Sequence, residues 1–196
     1  MNTTRLEAFS DGVLAIVITI MVLEFKVPHE STLEALRPLV PVAISYLLSF
    51  VYVGIYWNNH HHMLHVTRHV GGNMMWANLH LLFWLSLIPF VTAWMGENHF
   101  APVPTAAYGV VLLMAAIAYT ILQRAILATP GTGDVLRNAI GRDLKGKLSP
   151  LIYLVAIPLS LVQPWMGGVL YAASALMWLA PDRRIEHAVA SEARVA

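Results

Sequence analysis

The chain has 196 residues, of which 58% are apolar and only 12% are charged, with a formal net charge of +1. Soluble domains carry about 25% charged residues, so a water-soluble domain this apolar would not cover its surface with polar side chains. The near-zero net charge gives no indication of a nucleic-acid partner, and the absence of cysteine excludes disulfides and thiolate chemistry. The composition predicts an integral membrane protein.

Six apolar stretches predict membrane-crossing helices, which need about 20 mostly apolar residues, with about 17 tolerated. They cover residues 8–23, 39–57, 74–95, 105–128, 148–163 and 165–180. The first is expected to be an uncleaved span, because the following Leu23-Glu24-Phe25-Lys26 is typical of a membrane exit. The last two are short and predict a tight helical hairpin. Two prolines, Pro89 and Pro158, fall inside spans, where neighbouring helices can satisfy the freed carbonyls.

The positively charged residues divide unequally between the two sides of such a bundle. With both termini in the cytoplasm, the outer side holds only Lys26 and Arg37. The cytoplasmic side then holds ten, namely Arg5, Arg68, Arg124, Arg137, Arg142, Lys145, Lys147, Arg183, Arg184 and Arg194. Because cytoplasmic loops carry the excess of lysine and arginine, we predict an all-α membrane domain of six transmembrane helices over residues 1–180. Both termini are predicted to be cytoplasmic, with a short tail over 181–196.

Polar side chains open the first predicted helix. Ser10 and Asp11 lie about one turn inside it, before the apolar run 13–23. A carboxylate there is costly, so it indicates a functional site and requires a partner. The orientation brings other polar residues to the same membrane face: Asn58, Asn59, His60, His61 and His62 after the second span, and Trp76, Asn78 and His80 in the third. We expect histidine, asparagine and indole donors around Asp11. Such a network either fixes the first helix around a conduction path or only holds helices together.

The remainder of the first helix shows two stripes. Ala8, Gly12 and Ala15 form a small-residue stripe suited to close helix packing. A second stripe has the spacing i, i+3, i+4 and i+7 and therefore lies on one side of the helix; it consists of Ile16, Thr19, Ile20 and Leu23. Several copies of this stripe would make a hydrophobic constriction with one hydroxyl layer, of the kind that gates by dewetting. An ordinary lipid-facing or core stripe has the same pattern. Val17 is expected to face lipid.

The histidine run resembles a metal site only superficially. His61 and His65, and likewise His65 and His69, share a helix face, but no acidic residue lies between them, so the zinc-protease pattern is absent. A metal site also needs three or four supported ligands. We predict no metal and expect a cluster that partly serves Asp11, with pH sensitivity as a by-product. His80 either faces the bundle or is a hydrogen-bonded core histidine. Phosphate-binding loops and nucleophile motifs are also absent, so no enzyme is predicted.

Two motifs together carry a family resemblance. The first, Arg5-x-x-x-Phe9-Ser10-Asp11-Gly12, resembles the signature of the transmembrane protein 175 family, the endolysosomal potassium channels of animals and their bacterial relatives. The second resembles the bacterial branch and consists of Tyr56-Trp57-Asn58-Asn59-His60-His61, then Asn78-Leu79 and Leu87-Ile88-Pro89-Phe90-x-Thr92. The resemblance is close over the first half of the chain and extends to the rest only through the six-span layout.

The resemblance implies a potassium-permeable cation channel in the bacterial inner membrane, without a cofactor and without the Thr-Val-Gly-Tyr-Gly filter of ordinary potassium channels. It implies that first helices line the pore, with Ile16 at the constriction, Thr19 as the polar layer and Leu23 as the next apolar ring. The motif residues would form a structural network: Arg5, Phe9, Ser10, Asp11, His60, His61, Trp76 and Asn78. Animal members hold two six-helix repeats and pair up, so a single repeat implies a homotetramer. The implied partners are potassium and other monovalent cations, membrane lipid and further copies of the chain.

Two other classes of function remain open. One is a proton-coupled secondary transporter that uses Asp11 and the histidine cluster. Such carriers usually show inverted repeats and broken midplane helices, and neither is clear in this sequence. The other is a membrane-embedded regulatory or scaffolding protein.

Overall fold

The computed structural model describes residues 3–65, 67, 69–129 and 144–179. Within them the chain forms seven α-helices and one 3-10 helix, without a strand. In chain order these are α1 (Thr3–Leu23), a 3-10 helix (Glu34–Leu39), α2 (Val40–His65), α3 (Gly72–Ser86), α4 (Ile88–Glu97), α5 (Pro102–Leu127), α6 (Leu144–Val162) and α7 (Pro164–Leu179). The predicted tail at 181–196 lies outside the described residues, as do Arg68, Arg137 and Arg142.

Five segments of the described chain are long and apolar enough to cross a membrane. They are α1, the 3-10 helix with α2, α3 with α4, α5, and most of α6. The sixth predicted span is α7, which has only 16 residues and follows α6 after Gln163 alone. The predicted hairpin of two short helices is therefore present in the structure.

The third predicted span is two helices, which corrects the expectation of a continuous one. The helix is interrupted at Leu87, and Pro89 stands at the start of α4. Proline has no N–H to donate, and its ring clashes with the preceding turn, so α3 ends at Ser86 and a new helix begins at Ile88. In contrast, Pro158 lies within the continuous α6. The second span also extends further than expected, to His65, so the histidine run is helical.

The helices form two neighbouring regions. In the first, α1 packs against α2, α3 and α4, and α2 also packs against α4. In the second, α5 packs against α6 and α7, and it also contacts α3 and α4. The approach of α4 to α2 depends on Gly96, because a Cβ there would lie 2.9 Å from the Cα of Val42. The first region contains the polar residues singled out in the sequence, Ser10, Asp11, His60, His61 and Asn78. The second region packs against α3 and α4 of the first.

Four tyrosines from four helices fill the junction between the two regions. Tyr52, Tyr108, Tyr153 and Tyr171 are each at most 2% exposed, and we call them the tyrosine cluster. The Tyr52 hydroxyl donates to the carbonyl oxygen of Tyr171 at 2.7 Å and accepts from the Tyr153 hydroxyl at 3.3 Å. Buried hydroxyls are stable only when they are hydrogen-bonded, so these bonds make a tyrosine-rich core compatible with burial.

Candidate pore-lining helix and its polar cluster

Helix α1 has one face buried in its own subunit and one face exposed. The buried residues are at most 3% exposed and consist of Leu6, Ser10, Leu14, Val17 and Met21. The exposed face includes Ile16 at 57%, Ile20 at 41% and Leu23 at 78%, together with Thr19. The expectation that Val17 faces lipid is wrong, because Val17 lies on the same side as Ser10 and packs into the subunit. The predicted stripe of Ile16, Thr19, Ile20 and Leu23, called the aliphatic stripe below, therefore lies on the side of α1 that the other helices of the chain leave uncovered.

A chain of hydrogen bonds ties the buried side of α1 to α2 and α3. The Ser10 hydroxyl donates to the Leu6 carbonyl at 2.8 Å, and the Asn78 amide donates to the Ser10 Oγ at 2.9 Å. The Asn78 Oδ1 lies 2.7 Å from the Nε2 of His60. All three side chains are at most 1% exposed. The structure thus brings Ser10, His60 and Asn78 together across three helices.

A second set of contacts lies towards the surface. The indole N–H of Trp57 donates to the Asp11 carboxylate at 3.0 Å. One turn earlier on α1, Glu7 meets the Nδ1 of His61 at 2.7 Å. The Trp57 and His61 rings are stacked, with centroids 6.3 Å apart. We call these four residues together with Ser10, His60 and Asn78 the motif cluster. It contains four ionisable groups: His60 is buried, and Glu7, Asp11 and His61 are partly accessible to solvent.

Sequence reasoning missed Trp57 and Glu7 as members of this cluster. A signal for them was present, because Glu7 and Asp11 are separated by four residues on α1, and so are Trp57 and His61 on α2. Residues at i and i+4 share a helix face, so two such pairs on neighbouring helices predict two parallel contacts. The expected indole donor was Trp76, which is 74% exposed on α3.

Other predicted members of the network lie apart from it. Phe9 is 53% exposed on the uncovered face of α1, and Arg5 is also exposed. His80 accepts a hydrogen bond from the Trp84 indole at 3.0 Å, so its partner is on its own helix. His65 stacks on His61, and His69 is exposed. Among the described residues no group of three or more His, Asp or Glu side chains could hold a metal ion.

A groove of about 690 Å³ runs beside α1, between this helix and the α3–α4 segment. Its walls come from α1 and from the α3–α4 segment: Val13, Ile16, Val17, Ile20, Ser86, Pro89, Phe90, Ala93 and Trp94. Two carboxylates, Glu24 and Glu97, stand at the end remote from Asp11. Lys26 lies 2.7 Å from Glu97, and this hydrogen bond raises the pKa of the lysine. The groove is therefore apolar along its length and charged at one end.

Comparisons with known proteins identify a family model and relatives that are similar to this chain. The family model described as the endosomal/lysosomal potassium channel TMEM175 matches residues 5–89, which contain α1, α2, α3 and every member of the motif cluster. A potassium channel from Chryseobacterium sp. (strain P1-3) is 52% identical over 186 residues, covering 95% of this chain and 97% of the relative. A potassium channel from Chamaesiphon minutus is 32% identical over 182 residues, covering 85% of this chain and 88% of the relative.

A solved structure matches the fold as well. The crystal structure of a lysosomal potassium-selective channel TMEM175 homolog from Chamaesiphon minutus superposes with a TM-score of 0.78 at 31% identity. The match covers 90% of this chain and 96% of that chain.

Fold and comparisons together define a multi-pass α-helical membrane protein. The chain belongs to the transmembrane protein 175 (TMEM175) family. The family resemblance and the all-α membrane fold are thereby confirmed, with five of the six predicted spans long and apolar enough to cross a membrane among the described residues. Because the relatives are named as channels, which are not enzymes, the prediction that the chain is not an enzyme is confirmed as well.

Proposed function

We propose that the protein is a potassium-permeable cation channel in the bacterial inner membrane, assembled as a homotetramer with α1 of each subunit around the pore axis. One observation carries the proposal: the polar attachment of α1 and its aliphatic stripe lie on opposite sides of the helix. Ser10 is fully buried against α2 and α3, while Ile16 is 57% exposed. Because α1 is attached to its neighbours on one side only, its exposed side can line a pore formed by several copies of the chain. The relatives named as potassium channels support this assignment.

The chemistry of the exposed stripe suits a narrow cation path. Rings of Ile16, Ile20 and Leu23 would exclude water and so form a hydrophobic constriction. Thr19 lies between them, and its hydroxyl donates to the Ile16 carbonyl at 2.9 Å. Because the hydroxyl proton of Thr19 is donated to this carbonyl, the Thr19 oxygen can only accept from, or coordinate, other groups through its lone pairs. A ring of such oxygens would favour a cation over an anion.

The acidic residues at the end of α1 remote from Asp11 agree with cation transport. Glu24 and Glu97 stand at the end that we assign to the outer face, and Lys26 neutralises part of that charge through its ion pair with Glu97. Acidic groups at a pore entrance raise the local concentration of cations. We assign the motif cluster to the cytoplasmic end of a channel domain over residues 1–180, with both termini cytoplasmic.

The groove beside α1 offers an apolar surface on which a neighbouring copy of the chain could pack. Its walls present Ile16, Ile20 and Phe90, and Phe90 is 64% exposed. In a ring of subunits, an adjacent copy would cover this apolar surface, and lipid would contact the outer faces of the other helices. Mass measurement of the protein in nanodiscs tests the assembly. Four chains per particle are expected, and a monomer that still conducts would overturn the architecture.

A proton-coupled transporter is the second candidate, and one observation favours it. Glu7 and His61 form a contact of 2.7 Å with side-chain exposures of 22% and 45%, so a proton from solvent can reach a titratable pair beside Asp11. Such a pair is suited to carrying protons during a transport cycle.

Ion flux into liposomes distinguishes the candidates. Purified protein is reconstituted with a potassium gradient, with and without an opposing proton gradient, and potassium uptake is followed. Uptake driven by the potassium gradient alone is expected for the channel. Uptake that requires a proton gradient would establish the transporter instead. The absence of uptake in both conditions would contradict both and favour a regulatory or scaffolding role.

A further inference from the structure

His60 has a buried nitrogen that the motif cluster leaves unpaired. The side chain is 1% exposed, and its Nε2 is used in the contact with Asn78. Among the buried side-chain atoms of the described residues, the Nδ1 of His60 alone has no hydrogen-bond partner. Buried polar atoms are almost always paired because an unpaired one costs its full desolvation energy. This nitrogen therefore requires an explanation.

The direction of each hydrogen bond in the cluster follows from Ser10. Its hydroxyl has one proton, which is donated to the Leu6 carbonyl, so its oxygen accepts from the Asn78 amide nitrogen. This fixes the amide of Asn78 with its Oδ1 towards His60. A carbonyl oxygen only accepts, so the Nε2 of His60 must carry a proton and donate it. A neutral imidazole has one N–H, and the Nδ1 is therefore a bare lone pair.

We propose that the Nδ1 of His60 is a proton-binding site, and that proton uptake there loosens the attachment of α1 to α2 and α3. A protonated ring would keep its bond to Asn78, but it would bury a cation and a second N–H without an acceptor among the described residues. An arrangement in which water reaches the Nδ1 supplies that acceptor. Acidification through the histidine range therefore favours the loosened arrangement. This inference does not depend on ion conduction.

The charged groups around His60 set how strongly the switch responds. From α1, Glu7 and Asp11 attract a positive charge on His60, while His61 on its own helix repels it. Helix α3 contributes the uncharged Asn78. Burial disfavours a positive charge on His60 most strongly, and the two carboxylates offset only part of that cost, so the closed cluster still disfavours the proton.

Nitrogen-15 NMR of histidine-labelled protein in lipid bilayers measures the proton positions directly. The His60 signals are assigned by their loss in His60→Gln. At pH 7.5 we expect a protonated Nε2 and a bare Nδ1, and by pH 5.5 a substantial fraction protonated at both. An Nδ1–H tautomer at pH 7.5 would overturn the inference, as would an Nδ1 that stays bare at pH 4.5.

A pair of substitutions tests the consequence for stability. In His60→Gln the amide nitrogen takes the place of Nε2 and still reaches Asn78, but nothing titrates. A histidine that binds its proton at about pH 6.5 when it meets water favours the hydrated state about tenfold at pH 5.5. That factor is about 1.4 kcal/mol, which for a chain of this size corresponds to about 3–6 °C in the thermal midpoint. We expect the fall in midpoint between pH 7.5 and pH 5.5 to be smaller in His60→Gln than in the wild type by this amount.

The matched control is His65→Gln, which removes an exposed histidine one turn further along α2 and should retain the wild-type acid response. His60→Asn should destabilise the protein at both pH values, because the shorter amide does not reach Asn78. An acid response of His60→Gln equal to that of the wild type would contradict the inference. If His60→Gln does not fold, the Nδ1 protonation state of the wild-type protein decides the question.

Discussion

Two polar systems hold the helices of this chain together, and they differ in charge and in the helices that they join. The motif cluster joins α1 to α2 and α3 through single side-chain bonds, and those to Asp11 and between Glu7 and His61 involve ionisable groups. The tyrosine cluster joins α2, α5, α6 and α7 through neutral hydroxyls and ring contacts, such as Tyr108 with Tyr171 at 5.6 Å between centroids. One system fixes a single helix with an uncovered face. The other links the four helices α2, α5, α6 and α7.

The comparison shows why the two systems should respond differently to change. Neutral hydroxyls contribute the same hydrogen bonds across the physiological pH range, so the tyrosine cluster should contribute to stability alone. The motif cluster contains carboxylates and histidines and holds a helix from one side, so its disturbance should affect both stability and the position of the aliphatic stripe. Substitutions in each system separate these effects.

The largest loss of stability is expected for Asn78→Ala. This side chain bonds both Ser10 and His60. Its removal leaves the buried N–H of His60 without an acceptor, at about 1–3 kcal/mol, and removes the hydrogen bond that Ser10 accepts, at about 0.5–1.5 kcal/mol. Chemical denaturation in detergent should show the loss as a lower free energy of unfolding. Asn73→Ala is the matched control, because Asn73 is exposed on the same helix. Equal stability of the two variants would remove the structural basis of the motif cluster.

A smaller loss is expected from overpacking beside the tyrosine cluster. A Cβ at Gly167 would collide with the Ser160 hydroxyl, which contacts Tyr171, and would lie 3.2 Å from the Ala156 carbonyl oxygen. Forcing a methyl group into such a contact costs about 1–3 kcal/mol. The adjacent Gly168 has open space, so Gly168→Ala should be neutral or stabilising by up to about 1 kcal/mol. Thermal midpoints of the two variants give the comparison, and similar midpoints would contradict it.

The contact of Trp57 with Asp11 should contribute less, because it lies near the surface. Trp57→Phe keeps the ring but removes the indole donor, and we expect a loss of at most about 0.5–1.5 kcal/mol. Trp76→Phe is the control, since Trp76 is 74% exposed and its substitution should leave the unfolding free energy unchanged. A larger loss for Trp76→Phe than for Trp57→Phe would mean that the sequence-based choice of the donor was better than the structural one.

The smallest effect on stability and assembly is expected for Thr19→Val, which retains the shape and removes one hydroxyl. If the Thr19 oxygens face permeating ions, the ratio of potassium to sodium flux in liposomes should change. Thr120→Val is matched to it, because Thr120 on α5 makes the same type of bond to a carbonyl on its own helix, at 2.9 Å. An unchanged ratio in Thr19→Val, or an equal change in both variants, would count against a polar layer at Thr19.

The sequence predicts much of the first region because its polar residues are few and burying each of them without a partner costs free energy. A carboxylate and a serine inside an apolar run require partners, and this led to Asp11, Ser10, His60 and Asn78. The choice between Trp57 and Trp76 depends on how α2 and α3 rotate about their axes. A sequence does not indicate that rotation when the helix is apolar on every side, because no polar face marks which side is buried.

Val17 was misplaced for a related reason. Lipid and protein core are both apolar, so hydrophobicity alone does not distinguish a lipid-facing valine from a buried one. The buried position of Ser10 on the same side of α1 was the available clue. The tyrosine cluster was not predicted at all, because its members come one at a time from four helices and share no local motif. Only the tertiary packing brings Tyr52, Tyr153 and Tyr171 together.

The most direct test of the account is potassium flux through Ile16→Ala channels in liposomes, compared with Ile121→Ala. Both residues are exposed isoleucines, at 57% and 43%, but Ile121 lies on α5, which packs against α3, α4, α6 and α7. A smaller side chain at the proposed constriction would let water and ions pass more readily, so the account predicts a several-fold higher flux and weaker discrimination against sodium for Ile16→Ala, with wild-type behaviour for Ile121→Ala. Equal flux in the two variants would contradict α1 as the pore-lining helix.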